Sequence, residues 1–154
     1  MPSFQPAPTG HLLRDIAIVA AHRELRPVYR LSETAQAPRR AWDFVPREGL
    51  ENLAQAVILR VLTPRGELAA LGHPEYGSRV HELIGRENTK TQRNLLKLFI
   101  LDALKLEPRI EKVAELTVAP SPGTKSTVDV LLRVKPVGAT EVVTIGPFAI
   151  ELAV

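Results

Sequence analysis

Apolar residues in the middle of the chain follow a helical spacing. They recur at intervals of three and four between residues 50 and 62, which draws one continuous stripe down an α-helix. The stripe consists of Leu50, Leu53, Ala54, Val57, Ile58, Val61 and Leu62. Pro64 and Gly66 come shortly after it, and together they predict a turn that ends the helix.

Two further helices are predicted before residue 105. A short one is bounded by Ser78, a favourable N-cap residue, and by Gly85, which suits the position just after a helix. The second begins where Thr89 and Gln92 have the spacing of a capping box. Its body, residues 95–104, is apolar around most of its circumference. We therefore expect this helix to be buried on several sides, at the centre of the fold.

After Pro108 the apolar period changes to two, which is typical of strands. Alternating segments cover residues 113–118, 128–135 and 148–154, with turn residues between them. Neighbouring strands joined by short turns pair antiparallel. The predicted fold class is therefore α+β, with two to three helices around one buried helix, followed by a three-stranded antiparallel meander.

The N-terminal third differs from the rest of the chain. Six of the thirteen prolines lie before residue 47, and each of them fixes φ and removes a backbone donor. This density predicts an irregular arm, with room for one short amphipathic helix within residues 11–25 and a polar linker at 32–40. The predicted organisation is a Pro-rich basic arm over residues 1–46 and a single α+β domain over residues 47–154.

The last predicted strand is rich in apolar residues, and Pro147 near its start is tolerated mainly at a sheet edge. An apolar edge strand is an aggregation hazard unless something covers it. Either the protein's own arm covers this strand, or another chain adds a strand beside it. The residues alone leave both options open.

The amino-acid composition limits the classes of protein to which this chain can belong. The chain has 154 residues, of which 45% are hydrophobic and 24% charged, as in a folded protein with one domain and an arm. It has no cysteine, which excludes disulfides, thiolate zinc sites and cysteine nucleophiles. No apolar run approaches the ~18 residues of a membrane span, and no signal-peptide pattern opens the chain. We expect no membrane insertion, and assembly in the cytoplasm.

The formal net charge of +3 lies in the N-terminal third, where residues 1–47 carry seven basic and four acidic side chains. This excess is small and not clustered, which argues against nucleic acid as a partner. A basic nucleic-acid-binding module remains an alternative. Its binding would be salt-sensitive and would depend on the arm arginines, which are Arg23, Arg26, Arg30, Arg39 and Arg40.

Candidate chemistry is sparse. The four histidines lack metal-ligand spacing, the glycines form no phosphate-binding loop, and no Gly-x-Ser-x-Gly elbow is present. No pair of acids lies in a recognisable glycosidase setting. We therefore expect no enzyme activity, no cofactor and no metal. One polar motif is distinctive: Glu107-Pro108-Arg109 follows the buried helix, and Pro108 sets the angle between the two charges. Taken alone, this motif favours a local salt bridge or a solvated corner over a binding role.

Four segments, in order, resemble those of one protein family. They are Trp42-Asp43-Phe44, the turn Leu62-Thr63-Pro64-Arg65-Gly66-Glu67, Pro74-Glu75-Tyr76-Gly77-Ser78 and Glu107-Pro108-Arg109. Together they resemble the baseplate-wedge and sheath-initiator family of contractile tails, which carries the historical label gene-twenty-five-like lysozyme. The family occurs in phage tails, type VI secretion systems and extracellular contractile injection systems. Residues 1–40 have no counterpart, and Leu68 replaces the family's second arginine.

The resemblance implies a structural role. Six copies would surround the tail axis, within a phage tail or phage tail-like particle. Glu107 and Arg109 would dock on baseplate wedge proteins, and the arm arginines would meet tube or hub, wedge or sheath proteins. The C-terminal strands would template the first ring of sheath protein by strand addition, through Val128, Val130, Leu132, Val143, Ile145, Phe148, Ile150 and Leu152. A tail-associated peptidoglycan hydrolase is the alternative that the historical label suggests.

Overall fold

A computed structural model describes residues 12–23, 26–31, 33–36 and 41–152. In this part of the chain it contains two α-helices and nine strands. They are β1 (Arg14–Ile16), β2 (Ile18–Arg23), β3 (Arg26–Leu31), β4 (Glu33–Gln36), β5 (Ala41–Phe44), β6 (Pro46–Glu48), α1 (Gly49–Leu62), α2 (Lys90–Leu104), β7 (Ile110–Pro120), β8 (Thr127–Pro136) and β9 (Val143–Glu151). The predicted α+β class is confirmed. The chain divides into two compact units, which are residues 1–55 and residues 56–154.

The first unit contains short antiparallel strand pairs, β1 with β6, β2 with β3 and β4 with β5. The helix predicted within residues 11–25 is therefore wrong. Ile16, Ile18 and Val19 are β-branched, and such residues favour strands when a partner strand is available. The predicted linker at 32–40 likewise contains β4, because β5 satisfies its backbone groups.

Two amide side chains of α1 fasten the start of the described chain. Asn52 Nδ2 donates to the carbonyl of Leu12 at 2.9 Å. Gln55 Nε2 donates to the carbonyl of Ile16, and Gln55 Oε1 accepts from the amide of Ile18, both at 2.8 Å. The backbone groups at the junction of β1 and β2 are thus hydrogen-bonded by the polar side of α1. The spacing of apolar residues in α1 predicts only its buried stripe and not this role.

Both long helices lie where the pattern predicts them. In α1 the predicted stripe buries Leu53, Val57 and Val61. In α2 the Thr89 hydroxyl caps the helix by accepting from the amide of Gln92 at 3.2 Å. The reciprocal half of the capping box does not form, because the amide of Thr89 donates to the carbonyl of Glu87 instead.

Helix α2 buries one side, through Leu96, Phe99, Ile100, Ala103 and Leu104. Leu98 is exposed, so the prediction of burial on several sides is only partly right. The predicted short helix is a 3-10 turn over Val80–Leu83, with Ser78 Oγ accepting from the amide of Val80. Among the described helices, none combines the length and apolarity that a bilayer span requires.

The predicted meander is confirmed as a three-stranded antiparallel sheet in the order β7-β8-β9. Central strand β8 buries every second side chain, as a strand with one face on the core should. Strand β9 begins earlier than predicted, at Val143, and its pairing with β8 shifts register between Val130 and Leu132. It forms one edge of the sheet, in agreement with the position of Pro147.

Candidate functional site

Two motif segments, the turn over residues 62–67 and the turn over 74–78, are joined by backbone hydrogen bonds. The amide of Arg65 donates to the carbonyl of Ser78, and the amide of Ser78 donates to the carbonyl of Thr63, each at 2.8 Å. Gly77 has a φ of +100°, and a Cβ there would lie 2.5 Å from the carbonyl oxygen of Thr63. Glycine is required for this close approach, and the two turns form one structural element.

A buried carboxylate lies at the fourth motif segment, Glu107-Pro108-Arg109, between α2 and β7. The Glu107 side chain is only 3% exposed. Arg109 holds it with a two-pronged contact, Nε to Oε1 at 2.6 Å and Nη2 to Oε2 at 3.1 Å. This is the geometry for which a guanidinium is best suited. Of the two interpretations that the motif alone favours, a local salt bridge or a solvated corner, the structure shows the local salt bridge.

Arg60, near the end of α1, completes this group. Its Nη2 lies 3.4 Å from Glu107 Oε2, and its side chain is 10% exposed. The guanidinium also stands 4.5 Å from the centroid of the Tyr76 ring, a cation–π contact. We call Arg60, Glu107 and Arg109 the ion cluster. It connects the end of α1, the turn over residues 74–78 and the Glu-Pro-Arg motif.

Sequence reasoning misses Arg60, because the residue is not a member of the apolar stripe that predicts α1. Its position held a usable signal. Arg60 follows Val57 by three residues and directly precedes Val61, so it lies at the border of the buried stripe. An arginine at such a border, in a chain with a Glu-Pro-Arg motif, is a candidate partner for the buried acid.

The ion cluster sets the protonation of Glu107. Burial alone would raise the pKa of the Glu107 carboxyl group. The hydrogen bond from the Arg109 side chain and the positive charges of Arg109 and Arg60 act in the opposite direction. Their combined effect lowers the pKa of Glu107 below its ordinary value, so the group is a carboxylate at neutral pH.

The backbone around the ion cluster links it to the sheet. The amide of Ile110 donates to the carbonyl of Glu107 at 3.1 Å, and the amide of Val137 donates to the carbonyl of Arg109 at 2.9 Å. Pro108 is exposed and Arg109 is 17% exposed, whereas Glu107 is covered. Pro108 and part of Arg109 are therefore exposed, whereas Glu107 is buried.

A second group of charges lies beside the joined turns. Arg65 contacts Glu75 at 2.8 Å and Asp102 on α2 at 3.1 Å. Both carboxylates are more than half exposed. Pairs of this kind contribute about 0–1 kcal/mol to stability. This group is a surface feature, in contrast to the buried ion cluster.

The eight residues predicted to template sheath lie on β8, on β9 and at Leu152 just beyond β9. Six of their side chains are buried, and those of Val143 and Phe148 are half-buried. Their side chains therefore serve the core of this protein. A partner at this edge would meet backbone groups instead.

The alternation of hydrogen-bonded residue pairs between β8 and β9 shows which backbone groups a partner would meet. The amide of Leu152 donates to the carbonyl of Ser126, whereas the carbonyl of Thr127 accepts from Ser121 on the β7 side. Residues alternate along an antiparallel pair, and Thr127 is opposite Glu151 in the register. The backbone N–H and C=O groups of Ala149 and Glu151 therefore point away from β8, toward the open edge of the sheet.

The predicted arm contacts are only partly described. Arg23 of β2 and Arg26 of β3 are opposite each other in the register, and Arg30 is opposite Val19. Arg39 and Arg40 lie outside the described residues. The pairing thus places two of the five arginines together at one end of a hairpin.

The described part of the chain offers little support for a metal site or a glycosidase site. No group of three His, Asp or Glu side chains could hold a metal ion there. One surface cleft lies beside the start of α2, and Glu87 is the single acid in its lining, which otherwise comprises Asn88, Thr89, Pro120, Thr124, Lys125 and Ser126. A glycosidase needs two carboxyl groups at a defined separation across its cleft.

Comparison with known proteins identifies the fold. The structure is similar to the 1.44 Å crystal structure of a Geobacter sulfurreducens protein that carries tail lysozyme as a provisional name. The TM-score is 0.57 and the identity 20%, over 66% of this chain and 89% of that one. No protein-family model and no curated protein matches the chain. At this identity, the likeness shows a shared fold.

Proposed function

We propose that this protein is a structural baseplate component of a contractile tail or tail-like injection particle. It docks on the wedge and offers a strand edge to the first ring of sheath protein. The observation that carries the proposal is the ion cluster. Through it and the joined turns, three separate segments that resemble the baseplate family meet at one place. The fold shared with a protein named for a tail supports the same assignment.

In this proposal the members of the Glu-Pro-Arg motif have different tasks. Pro108 and Arg109 are at the surface and contact the wedge. Glu107 is a positioning residue, since its carboxylate is buried and holds the Arg109 fork at 2.6 and 3.1 Å. A preset guanidinium loses less conformational entropy on binding than a free one. Arg60 shares the charge of Glu107 and adds to the larger effect of Arg109, which lowers the pKa of the Glu107 carboxyl group against the effect of burial.

Sheath recruitment would use the open edge of β9. An added strand gains its affinity from main-chain hydrogen bonds, and Ala149 and Glu151 direct such groups outward. Free sheath subunits have no edge on which to build a first ring. A circle of six copies around the tail axis would supply preset edges and remove that barrier.

We also propose that the protein has no catalytic role, although its structural neighbour carries the name of a lysozyme. A glycosidase general acid needs a raised pKa, so that it is protonated near neutral pH. Glu107, the buried acid among the side chains that the structure describes, has a lowered pKa. Its two arginine partners hold it in the charged form, which cannot donate a proton.

The test is purification of the protein from its native host with a tag on the N-terminus, so that the strand β9 stays unobstructed. Mass spectrometry and electron microscopy would then identify its companions. We expect sheath, tube and wedge proteins in one large particle. A lone protein from cells that contain such particles would refute the proposal, and lytic activity of the pure chain would favour the hydrolase alternative.

A further inference from the structure

Positive charge without a counter-charge is concentrated at one end of the three-stranded sheet. Among the described residues, the cations of the second unit that have no carboxylate within ion-pair distance are Arg86, Lys90, Arg93, Lys97, Lys112 and Lys125. All of them except Lys97 and Lys112 lie just before α2, in its first turn or on the connection between β7 and β8. Three of these residues are exposed, and we call Arg86, Lys90 and Lys125 the basic end.

Hydrogen bonds fix the segments that carry the basic end. Asn88 Nδ2 donates to the carbonyl of Lys125 at 3.2 Å, and Arg93 Nη1 donates to Asn88 Oδ1 at 2.8 Å. Lys125 is therefore held beside the start of α2, at the surface cleft that it lines together with Asn88. Arg86 Nε donates to the carbonyl of Glu82 at 3.1 Å, which orients the guanidinium and leaves its charge without a counter-charge.

The basic end adjoins the end of β9. The amide of Leu152 donates to the carbonyl of Ser126 at 2.8 Å, and the carbonyl of Leu152 accepts from the amide of Gly85. Gly85 directly precedes Arg86, and Ser126 directly follows Lys125. A chain that adds a strand along the open edge of β9 therefore passes close to these cations where β9 ends.

We propose that the basic end binds an acidic segment of the sheath protein, beside the strand that this protein adds along β9. The inference rests on the proposed function and deepens it. Main-chain hydrogen bonds give an added strand its affinity, whereas side-chain contacts give it specificity. The basic end supplies such contacts and selects the chain that the edge of β9 receives.

The local balance of charge determines the sign of the partner. Two acids lie close by, Glu87 in the lining of the cleft and Glu151 at the end of β9, and the basic end together with Arg93 outnumbers them. Glu82 does not change this balance, because Arg79 already holds its carboxylate with two contacts, at 2.7 and 2.8 Å. A segment rich in carboxylates is therefore the complementary partner.

Nucleic acid is the other class of partner that a group of cations attracts. Proteins that bind single strands stack the bases on aromatic side chains, and the lining of this cleft has no aromatic residue. The neighbouring strand edge offers hydrogen bonds to a polypeptide backbone instead. These two features favour an acidic protein segment.

Photo-crosslinking in the native host tests which chain covers the basic end. A photoreactive amino acid replaces Thr124, which lines the cleft beside Lys125, and a control replaces Leu71, which is 74% exposed on a separate turn. We expect crosslinks from position 124 to a sheath peptide that contains Asp or Glu, and none from position 71 to that peptide. Crosslinks from position 124 to nucleic acid, to tube or wedge proteins, or within the protein itself would overturn the proposal. The absence of crosslinks in sheathed particles would also overturn it.

Charge reversal tests the chemistry. Lys90→Glu and Lys125→Glu should each weaken the binding of purified sheath protein about fivefold at low salt, with a smaller difference at high salt. An acid in the first turn of α2 favours the helix, so a loss in Lys90→Glu is not a loss of folding. The matched control is Lys112→Glu, which makes the same change of charge near the start of β7 and should bind like the wild type. Equal weakening in all three variants would contradict the proposal.

Failure of this inference differs from failure of the proposed function. Normal sheaths on baseplates that contain Lys90→Glu or Lys125→Glu would refute the role of the basic end and leave the baseplate role intact. Absence of the wild-type chain from the particles would refute both. Lysine in place of the crosslinked acid of the sheath protein should restore binding to Lys125→Glu, and a loss that it does not restore would refute the charge complementarity.

Discussion

The ion cluster and the open edge of β9 differ in the polar groups that they would present to a partner. These are charged side chains at the ion cluster and backbone groups at the β9 edge. At the ion cluster, charged side chains are paired with one another, and Glu107 is covered completely enough that no partner reaches it. At the β9 edge, buried side chains serve the core and the outward groups are those of the backbone at Ala149 and Glu151.

This difference predicts how each surface responds to mutation. In the proposed function, docking through the ion cluster would depend on the identity of a few side chains, so a single substitution there would change both stability and docking. Strand addition at the β9 edge would depend on backbone geometry, which most side chains permit. The edge should therefore tolerate substitutions that keep its N–H groups, and fail when one of those groups is removed.

The largest effect is expected from Ala149→Pro. Proline removes the outward N–H, while an edge strand tolerates it because that group makes no bond to β8. We expect baseplates that contain the protein but carry no sheath, as counted by electron microscopy.

Ala149→Val is the matched control for that variant, because it keeps the N–H and suits a strand. It should support normal sheaths. Normally sheathed particles in Ala149→Pro, with a folded and incorporated protein, would contradict a role for this edge.

Glu107→Ala tests how much the buried ion cluster contributes to stability. It leaves Arg60 and Arg109 without their common counter-charge, and breaking a buried ion pair costs about 3–5 kcal/mol. Urea denaturation measures the change in the free energy of unfolding. The control Glu75→Ala removes an exposed partner of Arg65 and should cost at most about 1 kcal/mol. Equal losses in the two variants would contradict the special role of the ion cluster.

The pH dependence of stability is a second test of the contribution of the Glu107 carboxylate. The pKa of Glu107 is lowered by folding, so its carboxylate stabilises the protein above the unfolded value of about 4.3. That contribution is lost as the pH falls from about 5 through the folded pKa. The free energy of unfolding of the wild type should therefore drop more steeply below pH 5 than that of Glu107→Gln. Parallel curves for the two proteins would show that Glu107 is not the group responsible.

The smallest effect is expected from Arg133→Ala on the outer face of the sheet. Arg133 Nη1 contacts Glu115 at 3.2 Å across two strands, and both side chains are at least half exposed. The loss should be below about 1 kcal/mol in thermal denaturation. A larger loss would mean that surface pairs stabilise the sheet as much as its buried face does.

Much of α1 and of the second unit was predictable because the signals there are local. The stripe on α1, the Thr89 cap and the alternation in β8 each depend on residues within a few positions of one another. The predicted helix in residues 11–25 failed because strand formation there depends on partners elsewhere, such as β6 for β1 and β3 for β2. Local propensity carries no information about those partners.

For the candidate site, the sequence alone determined the Glu-Pro-Arg motif and the position of β9 at an edge, and it left a local salt bridge and a solvated corner as alternatives within the motif. Only the tertiary structure decided that Arg60 shares Glu107 and that Val137 borders Arg109. It also decided that Ala149 and Glu151 present the outward backbone groups. The physical reason is that periodicity and propensity act along the chain, whereas burial of a charge and the phase of a sheet depend on which distant segments pack together.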